Sequence, residues 1–128
     1  MKVYKGFRGE NGAQVVIKQD GIEMHLRERW DLRNHSPDGF EWGYGGSGPA
    51  QLALAICADA TRDDAVAQQV YQDFKFRVVS SLDHEGFLLT EHEVKTIIDE
   101  ILMERARKID EEERQREKDD NGQFGVGA

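Results

Sequence analysis

The chain has 128 residues, enough for one hydrophobic core and too few for two. Hydrophobic residues make up 38% and charged residues 33%, with a formal net charge of -8. That balance supports a folded domain and excludes a general affinity for nucleic acid, which needs Lys and Arg gathered on one surface.

The single cysteine, Cys57, lies in the apolar run Leu52 to Ala58, so it cannot close an internal disulfide, and a reduced core thiol in a cytosolic protein is expected. Met1 leads directly into Lys2-Val3-Tyr4-Lys5, and no apolar run reaches the roughly 18 residues of a membrane span. A protein neither exported nor embedded in a membrane is expected.

The first thirty residues alternate as strands do: Val3, Tyr4 and Phe7, then Val15 to Ile17, then Ile22, Met24 and Leu26. Asn11-Gly12 and Asp20-Gly21 supply the positive φ that hairpin turns need, so a three-strand meander is expected. Glu28 to Gly39 reads as a polar connection from which Trp30 and Leu32 dip into the core. Ala50 to Ala60 is apolar nearly all round and predicts an enclosed helix, with Pro49 at its first position and Ser47 or Gly48 near its cap. Enclosure on every side leaves room for a homo-oligomer that covers part of this helix.

A second helix from about Asp63 to Ser81 carries Val66, Val70, Phe74 and Val78 as its core stripe. Asp83 to Gly86 turns the chain, and Phe87 to Leu89 is a short fourth strand or a core plug. Thr90 opens a third helix with Glu93 as a capping box, and Val94, Ile97, Ile98, Ile101 and Leu102 form its apolar face. From Glu104 charges of both signs recur, with Asp110 and Arg114, and Glu112 and Arg116, at i, i+4 spacing. The expected organisation is one α+β domain over 1–103, an exposed helical extension over 104–120 that stops at Asp119 to Gly122, and a flexible tail over 121–128.

The segment Phe40-Glu41-Trp42-Gly43-Tyr44-Gly45-Gly46-Ser47-Gly48-Pro49 is the most distinctive in the chain and places four of the 13 glycines just before a helix. Amides at a helix start, with the positive end of the helix dipole, seat phosphate or carboxylate groups. The candidate site joins the amides of Gly45, Gly46, Ser47 and Gly48 to Trp42 and Tyr44 as stacking surfaces and to Ser47 and Gln51 as hydrogen-bond donors. Lys75 on the second helix would complete the charge. The spacing lacks the Gly-Lys-Ser/Thr ending of a Walker loop and is neither a dinucleotide fingerprint nor a nucleophile elbow, and Pro49 removes one donor. Equally, the glycines could serve a tight turn packed on Trp42 and Tyr44. Four scattered histidines and one cysteine give no metal-ligand spacing, and no arrangement of nucleophile, base and acid appears, so neither a metal, a cofactor nor catalysis is expected.

The wording Trp42-Gly43-Tyr44-Gly45-Gly46-Ser47-Gly48-Pro49-Ala50-Gln51-Leu52-Ala53, read with Tyr71-Gln72-Asp73-Phe74-Lys75, resembles a small family of domains of unknown function carried by bacteria, archaea, phages and other mobile elements. The resemblance covers roughly Lys2 to Leu102. It implies no activity, but it implies a setting in which small accessory proteins act against host defence. Two expectations follow: a non-enzymatic protein that holds an anionic or nucleotide-like ligand at the glycine-rich loop, or an acidic module that inhibits a host defence protein. In the second, Asp63, Asp64, Asp73, Asp83, Glu85, Glu91 and Glu93 would imitate DNA phosphates.

Overall fold

The structure is a computed structural model that describes the backbone of residues 1–125 and the side chains of residues 1–120. Strands β1 (Val3–Gly9), β2 (Gly12–Gln19), β3 (Ile22–His25) and β4 (Gly86–Thr90) form one antiparallel sheet in the order β3-β2-β1-β4. Three helices follow the meander: α1 (Ser47–Thr61), α2 (Asp64–Arg77) and α3 (Glu91–Gly125). The fold is α+β, and the short segment around Phe87 to Leu89 is a true edge strand paired to β1.

The two hairpin turns differ in a way that residue type alone did not separate. At the second, Gln19 pairs with Ile22, and Asp20 and Gly21 take φ of 53° and 78°, the two positive values of a type I′ turn. At the first, Gly9 pairs with Gly12, so the turn is centred on Glu10 and Asn11; of the expected Asn-Gly pair only Gly12, at φ 90°, takes the left-handed region.

Alternation directs Tyr4, Val15 and Leu89 to the helix side of the sheet, where all three are buried. Helix α1 is the centre of the core: Leu52 through Cys57 have no exposed surface, enclosed by residues of the sheet, α2, α3 and the loop before α1. The chain therefore encloses this helix by itself, and its apolar character requires no second subunit. Burial pushes the Cys57 thiol well above the usual thiol range, which keeps it an unreactive core group.

Pro49 occupies the third helical position rather than the first, because α1 begins at Ser47 with Gly46 as its N-cap. The first intrahelical bond is donated by Ala50 to Gly46 (3.0 Å), so the proline's missing N–H lies among groups without a helical partner in any case. Helix α2 stops at Arg77, short of the expected Ser81, and Val79–Ser81 follows as a single 3-10 turn. Asp63 caps α2 by accepting from Ala65 and Val66. Trp30 does not enter the core; it is 45% exposed, and its Nε1 donates to the Ser36 carbonyl.

Thr90 and Glu93 form the expected capping box, with Glu93 N donating to Thr90 Oγ1 (3.0 Å). Val94, Ile98 and Ile101 anchor the first part of α3, while every residue from Arg105 to Asp120 is exposed. The helix backbone continues to Gly125, past the stop expected at Asp119 to Gly122; of the expected flexible tail, residues 126–128 lie outside the described residues. No described helix is long and apolar enough to cross a membrane.

Candidate functional site

The glycine-rich segment is a joint between three parts of the fold. Trp42 is fully buried: its Nε1 donates to the Asp83 carbonyl (2.9 Å), its ring meets Phe87 edge-on (5.1 Å between centroids), and the Arg8 guanidinium covers it at 4.5 Å. Arg8 Nη1 is held by Glu41 (2.9 Å), and Arg8 Nε donates to the His84 carbonyl (2.7 Å). The next residue, Gly43, takes φ 87° and donates its N–H to Val79 (3.0 Å). One stretch of sequence thus ties the end of β1, the start of α1 and the connection from α2 to β4.

These contacts account for most of the glycines. Gly43 is required by its positive φ. A Cβ on Gly48 would lie 2.7 Å from the Glu41 Cβ and 3.2 Å from its backbone nitrogen, so the missing side chain allows Glu41 to sit against the helix start. The Tyr44 ring folds over Gly46, where a Cβ would meet its edge at 2.8 Å. Only Gly45 lacks such a reason, since its nearest neighbour would be Ser80 Oγ at 3.9 Å.

Gln51 is fully buried one turn into α1, and its amide is used completely. Oε1 accepts from the backbone N–H groups of His35 (2.8 Å) and Ser36 (3.2 Å), while Nε2 donates to the carbonyls of Glu28 (2.6 Å) and Arg33 (3.0 Å). A chain segment without regular structure has backbone groups that need partners, and one side chain supplies four of them here. Arg29, at φ 61°, is further fixed by ion pairs to Asp31 (3.1 Å) and Asp64 (2.8 Å). Neither Gln51 nor Trp42 is therefore available to a ligand, which corrects the expectation that both face one.

Of the remaining expected site residues, Tyr44 is half exposed, Gly45 and Ser47 are exposed, and Gly46 as N-cap offers no side-chain cap to α1. Lys75 lies with its Nζ 4.4 Å from the Phe76 ring, and its carbonyl accepts from Ser80 Oγ. Close by in the core wall, His35 meets the Tyr71 hydroxyl (2.9 Å); burial, then the charges of Arg33 and Lys75, hold the imidazole below its ordinary pKa.

A second group of residues was not anticipated. Asp59, the one acid in the apolar run of α1, accepts at Oδ2 from the buried Tyr4 hydroxyl (2.6 Å) and from Lys2 Nζ (2.6 Å). Burial, then the hydrogen bond to this carboxylate, push the Tyr4 phenol far up. The group borders a cleft of about 130 Å³ lined by Ile17, Met24, Ala55 and Asp59, with Arg27 and Arg29 at its rim. A lone carboxylate inside an otherwise apolar helix was the available signal. Among the described residues no group of His, Cys, Asp and Glu is arranged to hold a metal ion.

The acidic residues suggested as phosphate mimics mostly have internal partners. Asp63 caps α2, Asp64 pairs with Arg29, Asp73 with Arg105, Asp83 accepts from Glu85 N, Glu91 pairs with Lys2 and Lys95, and the Glu93 carboxylate accepts from the Thr90 hydroxyl.

The model of DUF6166, a family of unknown function, matches residues 4–100. The chain belongs to that family. The DUF6166 match spans nearly all of the sheet, α1, α2 and the first ten residues of α3, and so includes the joint, the Gln51 network, Tyr4 and Asp59, while Lys2, Ile101 and the exposed part of α3 fall outside it. No curated protein and no solved structure matches the chain.

Proposed function

We propose that this protein acts by binding a protein partner, without catalysis of its own, and that the exposed part of α3 is the surface it presents. The observation that carries this reading is the run from Arg105 to Asp120, which stays helical although every side chain in it is exposed. A free helix of that length is marginal in water. Here it grows from a docked base, where Arg77 pairs with Glu104 and Arg105 with Asp73 (3.1 Å), and it is supported along its length by pairs such as Asp110 with Arg114 (2.8 Å). Charges of both signs suit a partner surface of matching mixed charge. The phage and mobile-element setting implied by the resemblance makes a host defence protein the partner class.

The test is capture from a host extract with the full chain and with a chain ending at Met103. A partner held by the full chain and lost on truncation, with the melting temperature of the truncated domain unchanged, supports the reading; equal capture by both chains refutes it.

A second reading keeps an anionic or nucleotide-like ligand at the start of α1. It is favoured by one observation: Gly46 leaves the helix without a side-chain cap beside exposed Tyr44 and Ser47. A thermal-shift screen of mono-, di- and cyclic nucleotides tests it, because a ligand that binds only the folded state raises the melting temperature. No shift with any of them removes this reading.

A further inference from the structure

Strand β3 forms one edge of the sheet, and all four of its residues are exposed. The hairpin fixes which of its backbone groups are unused. Gln19 and Ile22 flank a two-residue turn and so form a hydrogen-bonded pair, and Leu26 N donates to Val15 O at 3.0 Å. Even-numbered residues of β3 therefore bond to β2, while Glu23 and His25 turn their N–H and C=O groups outward. Natural edges are usually blunted by proline, lysine or a bulge. Ile22-Glu23-Met24-His25 has none of these three, its only blunting being its length of four residues and the charge of Glu23, and Ile22 (62% exposed) and Met24 (59%) leave apolar surface on the side of Asp59.

We propose that two copies of this chain pair through β3, antiparallel about a two-fold axis at Met24, to give one continuous sheet of four strands from each copy. The proposal is independent of the role of α3. The occupant is argued from complementarity. Two identical strands can pair with an outward residue opposite an outward residue in three registers within β3. One sets Glu23 against Glu23 and brings like charges together, and one sets His25 against His25. The third sets Glu23 of each copy against His25 of the other, uses every outward backbone group of both strands, and places an acid opposite a base twice. With Nε2 engaged by Glu28, it is the doubly protonated His25 that donates Nδ1–H to Glu23 of the other copy. In that register Met24 faces Met24 across the axis as a non-hydrogen-bonded pair, and the two thioethers close over the mouths of the adjoining clefts. The contact is isologous and closes on itself, whereas pairing of β3 with the β4 edge of another copy would propagate without end.

Cysteine cross-linking reads the register directly. Non-hydrogen-bonded partners in antiparallel strands have Cα atoms about 4.5 Å apart, within reach of a disulfide, while two copies of residue 22 would stand about 14 Å apart. Cys57 is fully buried and does not compete. Met24→Cys should give a covalent dimer under mild oxidation, and Ile22→Cys, at an equally exposed position, should not. Sedimentation of the parent chain up to about 1 mM, where even millimolar affinity is visible, should show a dimer. Glu23→Pro removes one outward N–H without touching a hairpin bond and should restore the monomer, its fold checked by circular dichroism. A parent that stays monomeric, equal cross-linking at both positions or at neither, or a folded Glu23→Pro variant that still dimerises would each overturn the proposal.

Discussion

Replacing Gln51 with leucine keeps the size of the side chain and removes all of its hydrogen bonds. Four contacts are lost, to the N–H groups of His35 and Ser36 and the carbonyls of Glu28 and Arg33. At about 1 kcal/mol net per bond the loss would be about 4 kcal/mol, and water reaching the part-exposed loop together with the burial of a leucine returns about 1–2 kcal/mol. The expected cost is thus about 2–3 kcal/mol, which lowers the melting temperature of a domain of this size by about 10–20 °C and the urea midpoint by about 1 M. Gln51→Glu separates hydrogen bonding from shape. It retains an acceptor for His35 and Ser36 but sets an oxygen against the two carbonyls that Nε2 now serves, and it buries a charge, so at neutral pH it should be worse than leucine. Urea unfolding of the three proteins is the assay. A Gln51→Leu variant within about 0.5 kcal/mol of the parent, or a Gln51→Glu variant more stable than it, would show that the loop does not depend on this amide.

The glycines of the joint offer an internal comparison. Gly48→Ala drives a Cβ into Glu41 and should cost about 1–3 kcal/mol in thermal or urea unfolding, while Gly45→Ala, with open space and no positive φ, should change stability by no more than about 0.5 kcal/mol. His35 supplies a pH dependence. Its folded pKa lies below the ordinary histidine value of about 6.5, so the unfolded chain takes up a proton that the folded chain refuses. Stability should fall as pH drops from about 6.5 towards the lowered folded value, and His35→Gln should flatten that part of the profile in melting curves taken at fixed ionic strength.

Local chemistry made much of the fold legible. The alternation of the first thirty residues, the Asp20-Gly21 turn and the Thr90 and Glu93 capping box rest on neighbours a few residues apart, the all-round apolar run of α1 marked it as enclosed, and all are present. The site was less legible, because the exposure of Trp42 and Gln51 is decided by partners far along the chain. Trp42 is covered by Arg8 and tied to Asp83, 41 positions away, and Gln51 meets a loop whose nearest bonded residue precedes it by 15. The abundance of glycine suggested a binding loop, but glycine also marks where one backbone approaches another, and for Gly43 and Gly48 that is its use. The acidic residues that looked available in the sequence are mostly engaged by caps and by Arg29, Arg105, Lys2 and Lys95.

The exposed length of α3 is also a lever. From Arg105 to Asp120 it spans about 24 Å at 1.5 Å per residue, so a tilt of about 10° at its base carries the far end through about 4 Å. The fulcrum is the pair of contacts from Glu104 to Arg77 and from Arg105 to Asp73, both on α2. Just beyond Arg77 lies Val79, whose carbonyl receives the Gly43 N–H. A load applied to the tip is therefore transmitted along a continuous helix into the ground that holds Trp42 and the entrance to α1.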